Sequence, residues 1–213
     1  MKKSLSLILV LTLCIGCVFA MAACGKEEQK SIYDLAAELA PTKTVTFVDY
    51  KAANGDELGG EYILECDGDD SIFTYTYDRY RTAEEAIADG VAEPIKTFTG
   101  AVYCKDGKYS GDGVNWGSSP VATEIKLNLV ADKLTGAVIS EDGKTLTATL
   151  TAENAVAVLG TDLAAEGELA ITVTSNGTYL TGITVTCTTK LGAKVRVSTS
   201  YSYNKLMLVF PES

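Results

Sequence analysis

The sequence predicts a mainly β protein, a β-rich α+β chain in which about ten antiparallel strands carry about three short helices. Three observations lead there. Segment after segment alternates apolar and polar residues with period two, as a sheet with one buried face requires. Asn-Gly and Asp-Gly pairs join many of these segments, and such pairs favour hairpin turns. The helical stretches punctuate the strands without alternating with them, which argues against a doubly wound parallel sheet.

Each element has its own signal. Ser31 can cap a helix over 32–40, with Asp34 completing a capping box, and Pro41 stops it. Strands over 42–51, 61–66 and 71–79 read as a meander turning at Asn54-Gly55 and at 67–70. On the third strand Phe73, Tyr75 and Tyr77 share one face, and Ile72, Thr74 and Thr76 the other. Thr82 and Glu85 form a second capping box and open a helix to about Gly90. A strand over 97–104 turns at Asp106-Gly107 into a short return over 108–111, and 111–120 reads as a loop around Trp116. Residues 124–129 alternate like a strand followed by a turn, although Leu127, Val130, Ala131 and Leu134 also have the spacing of one helical turn. Strands over 137–140 and 144–150 flank Asp142-Gly143. Thr151 then caps a helix over 152–159 that ends at Gly160. Three strands close the chain, over 168–174, 179–188 and 194–203, with Asn176-Gly177 between the first two. The last places Val195, Val197, Thr199, Tyr201 and Tyr203 on one face, and Lys194, Arg196, Ser198 and Ser200 on the other. Threonine is abundant, as the solvent face of an antiparallel sheet favours.

Composition excludes several functions. The 213 residues include no histidine, so neither a Ser-His-Asp or Cys-His pair nor a His-bearing zinc site can form. With 28 acidic against 18 basic side chains the net charge is -10, and a nucleic-acid partner needs a basic footprint. There is no G-x-S-x-G, P-loop or dinucleotide fingerprint. No catalytic residue, metal site or cofactor is expected. Asp67, Asp69 and Asp70 read as a solvated turn, lacking the distal Glu of a calcium loop. Asn176-Gly177-Thr178 matches a glycosylation sequon that a hairpin turn explains fully.

Residues 1–23 read as an address. Lys2 and Lys3 precede a long apolar run that ends in Met21-Ala22-Ala23-Cys24. This resembles a bacterial lipobox, with Met21 where leucine is usual. The resemblance implies cleavage before Cys24 and a diacylglycerol on its thiol. The alternative is an uncleaved anchor, since residues 4–23 reach the roughly 20 apolar residues that span a bilayer. Either way the rest of the chain lies outside the cytoplasmic membrane, with no nucleic-acid partner expected. Cleavage would remove Lys2 and Lys3 and take the side-chain charge to -12, as 16 basic against 28 acidic groups. Residues 24–30 form the lipidated end and a polar tether reaching about 20 Å. Residues 31–213 read as one β-rich extracytoplasmic domain. Cys66, Cys104 and Cys187 fall in phase with apolar neighbours, so they read as buried thiols, with one disulfide among them as the alternative.

The order of elements around "TGAVISEDGKTLTATL", "TAENAVAVLG" and "VRVSTSYSYN" is similar to envelope lipoproteins of the lipoprotein-carrier (LolA-like, LppX-like) architecture. The resemblance rests on layout and turn motifs, and no functional residue transfers one by one. It implies a strongly curved antiparallel sheet or half-barrel, with helices packed on it and room for acyl chains between. A plain up-and-down sandwich or barrel has a similar strand list. The residues that would line such a cavity are Phe73, Tyr75, Tyr77, Ile183, Val185, Val195 and Val197, with Trp116 at its mouth. Ordinary core packing would use the same residues. The expected role is a non-catalytic membrane-anchored lipoprotein that binds a lipid or another hydrophobic ligand. The rival is an envelope interaction module with a filled core and no small-molecule ligand.

Overall fold

A computed structural model describes residues 30–90, 93–118 and 127–211. The ten strands are β1 (Lys43–Lys51), β2 (Glu57–Asp67), β3 (Asp70–Tyr80), β4 (Ile95–Lys105), β5 (Lys108–Ser110), β6 (Thr135–Ile139), β7 (Thr145–Thr151), β8 (Glu168–Ser175), β9 (Leu180–Thr188) and β10 (Lys194–Ser202). They form one antiparallel sheet in the order β5-β4-β3-β2-β1-β10-β9-β8-β7-β6, curved and unclosed. The mainly β class and the strand count follow the sequence. The first and last long strands, β1 and β10, pair over nine residues from Lys43↔Ser202 to Lys51↔Lys194. That pairing joins an N-terminal meander to a C-terminal one.

Three short helices accompany the sheet: α1 (Ile32–Ala37), α2 (Ala83–Asp89) and α3 (Ala152–Leu159). Ser31 and Thr82 each accept from the third backbone N–H, and Asp34 and Glu85 reach back, so both predicted capping boxes form. Helix α3 has the predicted bounds. Thr151 Oγ1 accepts from Asn154 N at 3.2 Å, and Gly160 ends the helix at φ 70°, a conformation glycine adopts without strain.

The sequence overextends α1, which stops at Ala37 instead of residue 40. Pro41 disfavours helical backbone at Ala40, and the preceding turn tightens, with Leu39 N bonding Ala36 O. It underextends β2, because Gly59-Gly60 hides the alternation there. Pairing continues to Leu58 and Glu57 because β1 lies opposite with Tyr50 and Lys51. The segment expected as a strand over 124–129 is described only from Leu127, where it does not join the sheet. Asn128 N donates instead to Val158 O, and a 3-10 turn follows at Ala131–Lys133.

Cross-strand register sorts the side chains. One row on the inner face runs Ile171, Val185, Val197, Val48, Gly60, Tyr77, Phe98. The next runs Val173, Ile183, Thr199, Thr46, Tyr62, Tyr75, Gly100. Helix α1 packs on β8 and β9, and α3 on β7 and β8. The core therefore sits on one half of this face, where Leu146, Leu150, Leu169, Val173, Leu180 and Val158 are fully buried. Among the described residues no helix covers the other half, over β2, β3 and β4.

Candidate functional site

The half-covered face has two parts. Under the end of α3 lies an apolar cleft of about 290 Å³. Its floor is Ile183, Val185, Val197, Thr199, Tyr201 and Thr46, from three adjacent strands. Leu127, Leu159 and Leu163 wall it. The hydroxyls of Thr46 and Thr199 lie 2.9 Å apart and satisfy one another. The floor thus carries polar groups without an orphaned hydrogen bond. Burial pushes the Tyr201 phenol well up, with the nearby Tyr203 adding to it, so it keeps its proton.

One strand beyond Thr46, about 5 Å at ordinary strand spacing, the second part begins at Tyr62. Phe73, Tyr75 and Tyr77 are half-buried and join Tyr62 of β2 and Phe98 of β4. Tyr62 lies within 14° of parallel to Phe73 and 13° to Tyr77, at centroid distances of 6.3 and 6.4 Å. Tyr77 and Phe98 lie 5.7 Å apart at 22°. Glycines seat this ladder. A Cβ at Gly60 would come within 2.8 Å of the Tyr62 ring, and one at Gly100 within 2.3 Å of the Tyr75 hydroxyl. The Arg79 guanidinium lies 4.2 Å over Phe98 and is held there by both Glu85 carboxylate oxygens. Lys96 approaches the same ring and pairs with Asp89 at 2.9 Å.

Seven of the eight residues named from the sequence share this inner face, and Trp116 does not. Its ring meets Phe210 at 6.3 Å, and Phe210 meets Tyr103, which lies opposite Ile72 on the outer face. The segment after β10 brings Phe210 there, a contact no local pattern reveals. Val195, opposite Tyr50, lies outside the cleft toward the strand ends. The sequence reading missed Tyr62 and Phe98, although each stands in phase with its strand's apolar face. It also missed the leucine walls, which belong to elements distant in the chain.

Among the described residues the three cysteines, Cys66, Cys104 and Cys187, are free thiols. Cys66 and Cys104 both lie opposite Ser71, so a strand separates them. Their Cα atoms are then about 10 Å apart, beyond disulfide reach. Burial pushes the Cys66 thiol up, and neighbouring Cys104 adds to it. That makes Cys66 a poor nucleophile. Among the described residues no group of three or more Cys, Asp and Glu side chains converges as metal ligands would. A wide-open trough of about 900 Å³ lies near the strand ends, and its rim mixes Lys51, Glu57, Asp78 and Arg196.

Comparison with known proteins adds little. No protein-family model matches the chain, and no curated protein does either. Among solved structures, kievitone hydratase from Nectria haematococca matches at 8% identity and a TM-score of 0.25. The match covers 84% of this chain and 54% of that one, so the chain spans about half its length. Similarity this low carries no argument about function.

Proposed function

We propose that this chain is an extracytoplasmic lipoprotein, anchored in the membrane through Cys24, that binds a lipid or another hydrophobic ligand without catalysing a reaction. The observation that carries the reading is the cleft over Ile183, Val185 and Val197, walled by Leu127, Leu159 and Leu163 and mainly apolar. At about 290 Å³ it lies at the lower edge of the roughly 300–1,000 Å³ typical of small-molecule sites. Each methylene it buries contributes about 0.8 kcal/mol. Several must enter to offset the cost of ordering a chain. The lipobox-like Cys24 and its short tether would keep the domain within reach of membrane lipids. The curved sheet with helices on one face fits the lipoprotein-carrier layout that the sequence resembles.

The alternative is an interaction module with a filled core. It draws support from the dense packing around β7, β8 and α3, and from the absence of orphaned buried polar side-chain atoms among the described residues. Native mass spectrometry of residues 25–213, exported behind a cleavable signal peptide and without the lipid cysteine, separates the two. Reproducible added mass that a solvent extract identifies as lipid supports the binder. An apo mass that survives incubation with membrane lipids leaves the module.

A further inference from the structure

The aromatic half of the inner face differs chemically from the cleft. At its border lies a hollow of about 260 Å³, with Gly60 and Val48 in its floor and Tyr50, Tyr62, Tyr77 and Arg79 around it. It exists because Gly60 has no side chain, since a Cβ there would collide with Tyr62. Among the described residues neither the Tyr62 nor the Tyr75 hydroxyl has a hydrogen-bond partner, and neither is buried away from solvent. We propose that this hollow and the ladder beside it bind a neutral glycan, with one sugar ring over Gly60 against the tyrosine faces.

Three arguments select that occupant. An acyl chain would strip water from the Tyr62 and Tyr75 hydroxyls and return no hydrogen bond, whereas a sugar offers hydroxyls in exchange. Its C–H faces match the ring faces. Charge gives the second argument. On β1 to β4 the carboxylates Asp49, Glu57, Glu61, Glu65 and Asp78 fall in phase with the opposite face, and the one that reaches the edge of the hollow, Asp78, already accepts from Gly59 N and Thr97 Oγ1. The inner-face cations, Arg79 and Lys96, are held by Glu85 and Asp89, so no free charge recruits an ionic ligand. An aromatic hollow also suits a quaternary ammonium, but both carboxylates beside it are already engaged, Asp78 by Gly59 N and Thr97 Oγ1 and Glu85 by Arg79, so no free negative charge holds one. The third argument concerns a second copy of the chain. Two copies at -10 each repel, which disfavours face-to-face pairing.

The test is an array of neutral and acidic oligosaccharides probed with the full chain in lipid nanodiscs, then titration of the best neutral sugar. Saturable binding to a neutral glycan is expected. The Tyr62→Phe/Tyr75→Phe pair keeps every ring and removes only two hydroxyls, and it should weaken binding by about tenfold or more. Gly60→Val, which fills the hollow, should abolish it. Binding to no neutral glycan overturns the proposal. So does choline competing at the site, or an affinity that the double phenylalanine variant leaves unchanged. Lipid retention, measured on the same variants, reads the cleft alone, so either reading can fail without the other.

Discussion

Gly182 and Gly100 show how much a single missing side chain decides. A Cβ at Gly182 would meet the Thr199 carbonyl oxygen at 2.8 Å, and that backbone is fixed by the β9–β10 ladder. At Gly100 the obstacle is the outer end of Tyr75, which can swing aside. Gly182→Ala should therefore lower stability by about 1–3 kcal/mol, as overpacking does. Gly100→Ala should cost less than about 1 kcal/mol while disordering the ladder. Urea midpoints and tyrosine fluorescence separate the two effects. Glu85 gives a pH prediction. Hydrogen bonds from Arg79, then from Thr82, lower its carboxyl pKa from 4.5 to about 2. A lowered folded-state pKa adds stability above pH 4.5, and this is lost as the pH falls through about 2. The stability gap between the native chain and Glu85→Gln should shrink across that window in urea titrations.

Helix α3 and strand β7 meet at Thr151, and both were legible because each boundary has a local cause. Thr151 ends the strand and caps the helix, and Gly160 ends the helix. Thr151→Ala should cost about 1 kcal/mol. Leu150, fully buried beneath α3, should cost about 2–5 kcal/mol when cut to alanine. Chemical denaturation of the two variants checks the ratio. Boundaries without such a signal were misplaced. Gly59-Gly60 broke the alternation, and only the partner strand carries β2 on to Glu57. Residues 127–129 alternate like a strand, yet Asn128 bonds to the helix end at Val158.

Among the described residues the sheet ends at β5 and β6, and both edges are blunted, β5 also by the two backbone hydrogen bonds that Tyr109 exchanges with Gly117. β5 is three residues long, and β6 is five residues long with a register shift between Thr135 and Val138. Among the described residues the helices shield only one half of the inner face, beside the cleft and away from the aromatic ladder. Two predictions belong at this scale. Ile183→Trp, which fills the cleft from its floor on β9, two strands from β1, should reduce co-purifying lipid several-fold in the solvent extract while leaving glycan binding intact. Cys24→Ser should abolish labelled-palmitate incorporation, and the uncleaved leader should then show as added mass on a gel.

By itself the sequence determined which residues alternate, where the chain turns and where helices are capped. These follow from local backbone preferences and the period-two geometry of a strand. It thereby placed Phe73, Tyr75 and Tyr77 on one strand face and Ile183, Val185 and Val197 on others. Only the tertiary structure decided that these faces are one face. Pairing β1 with β10 joins strands some 150 residues apart in the chain. No local pattern encodes such a pairing, because its register rests on hydrogen bonds every strand can offer. The same holds for Trp116, which the chain end draws to the outer face through Phe210.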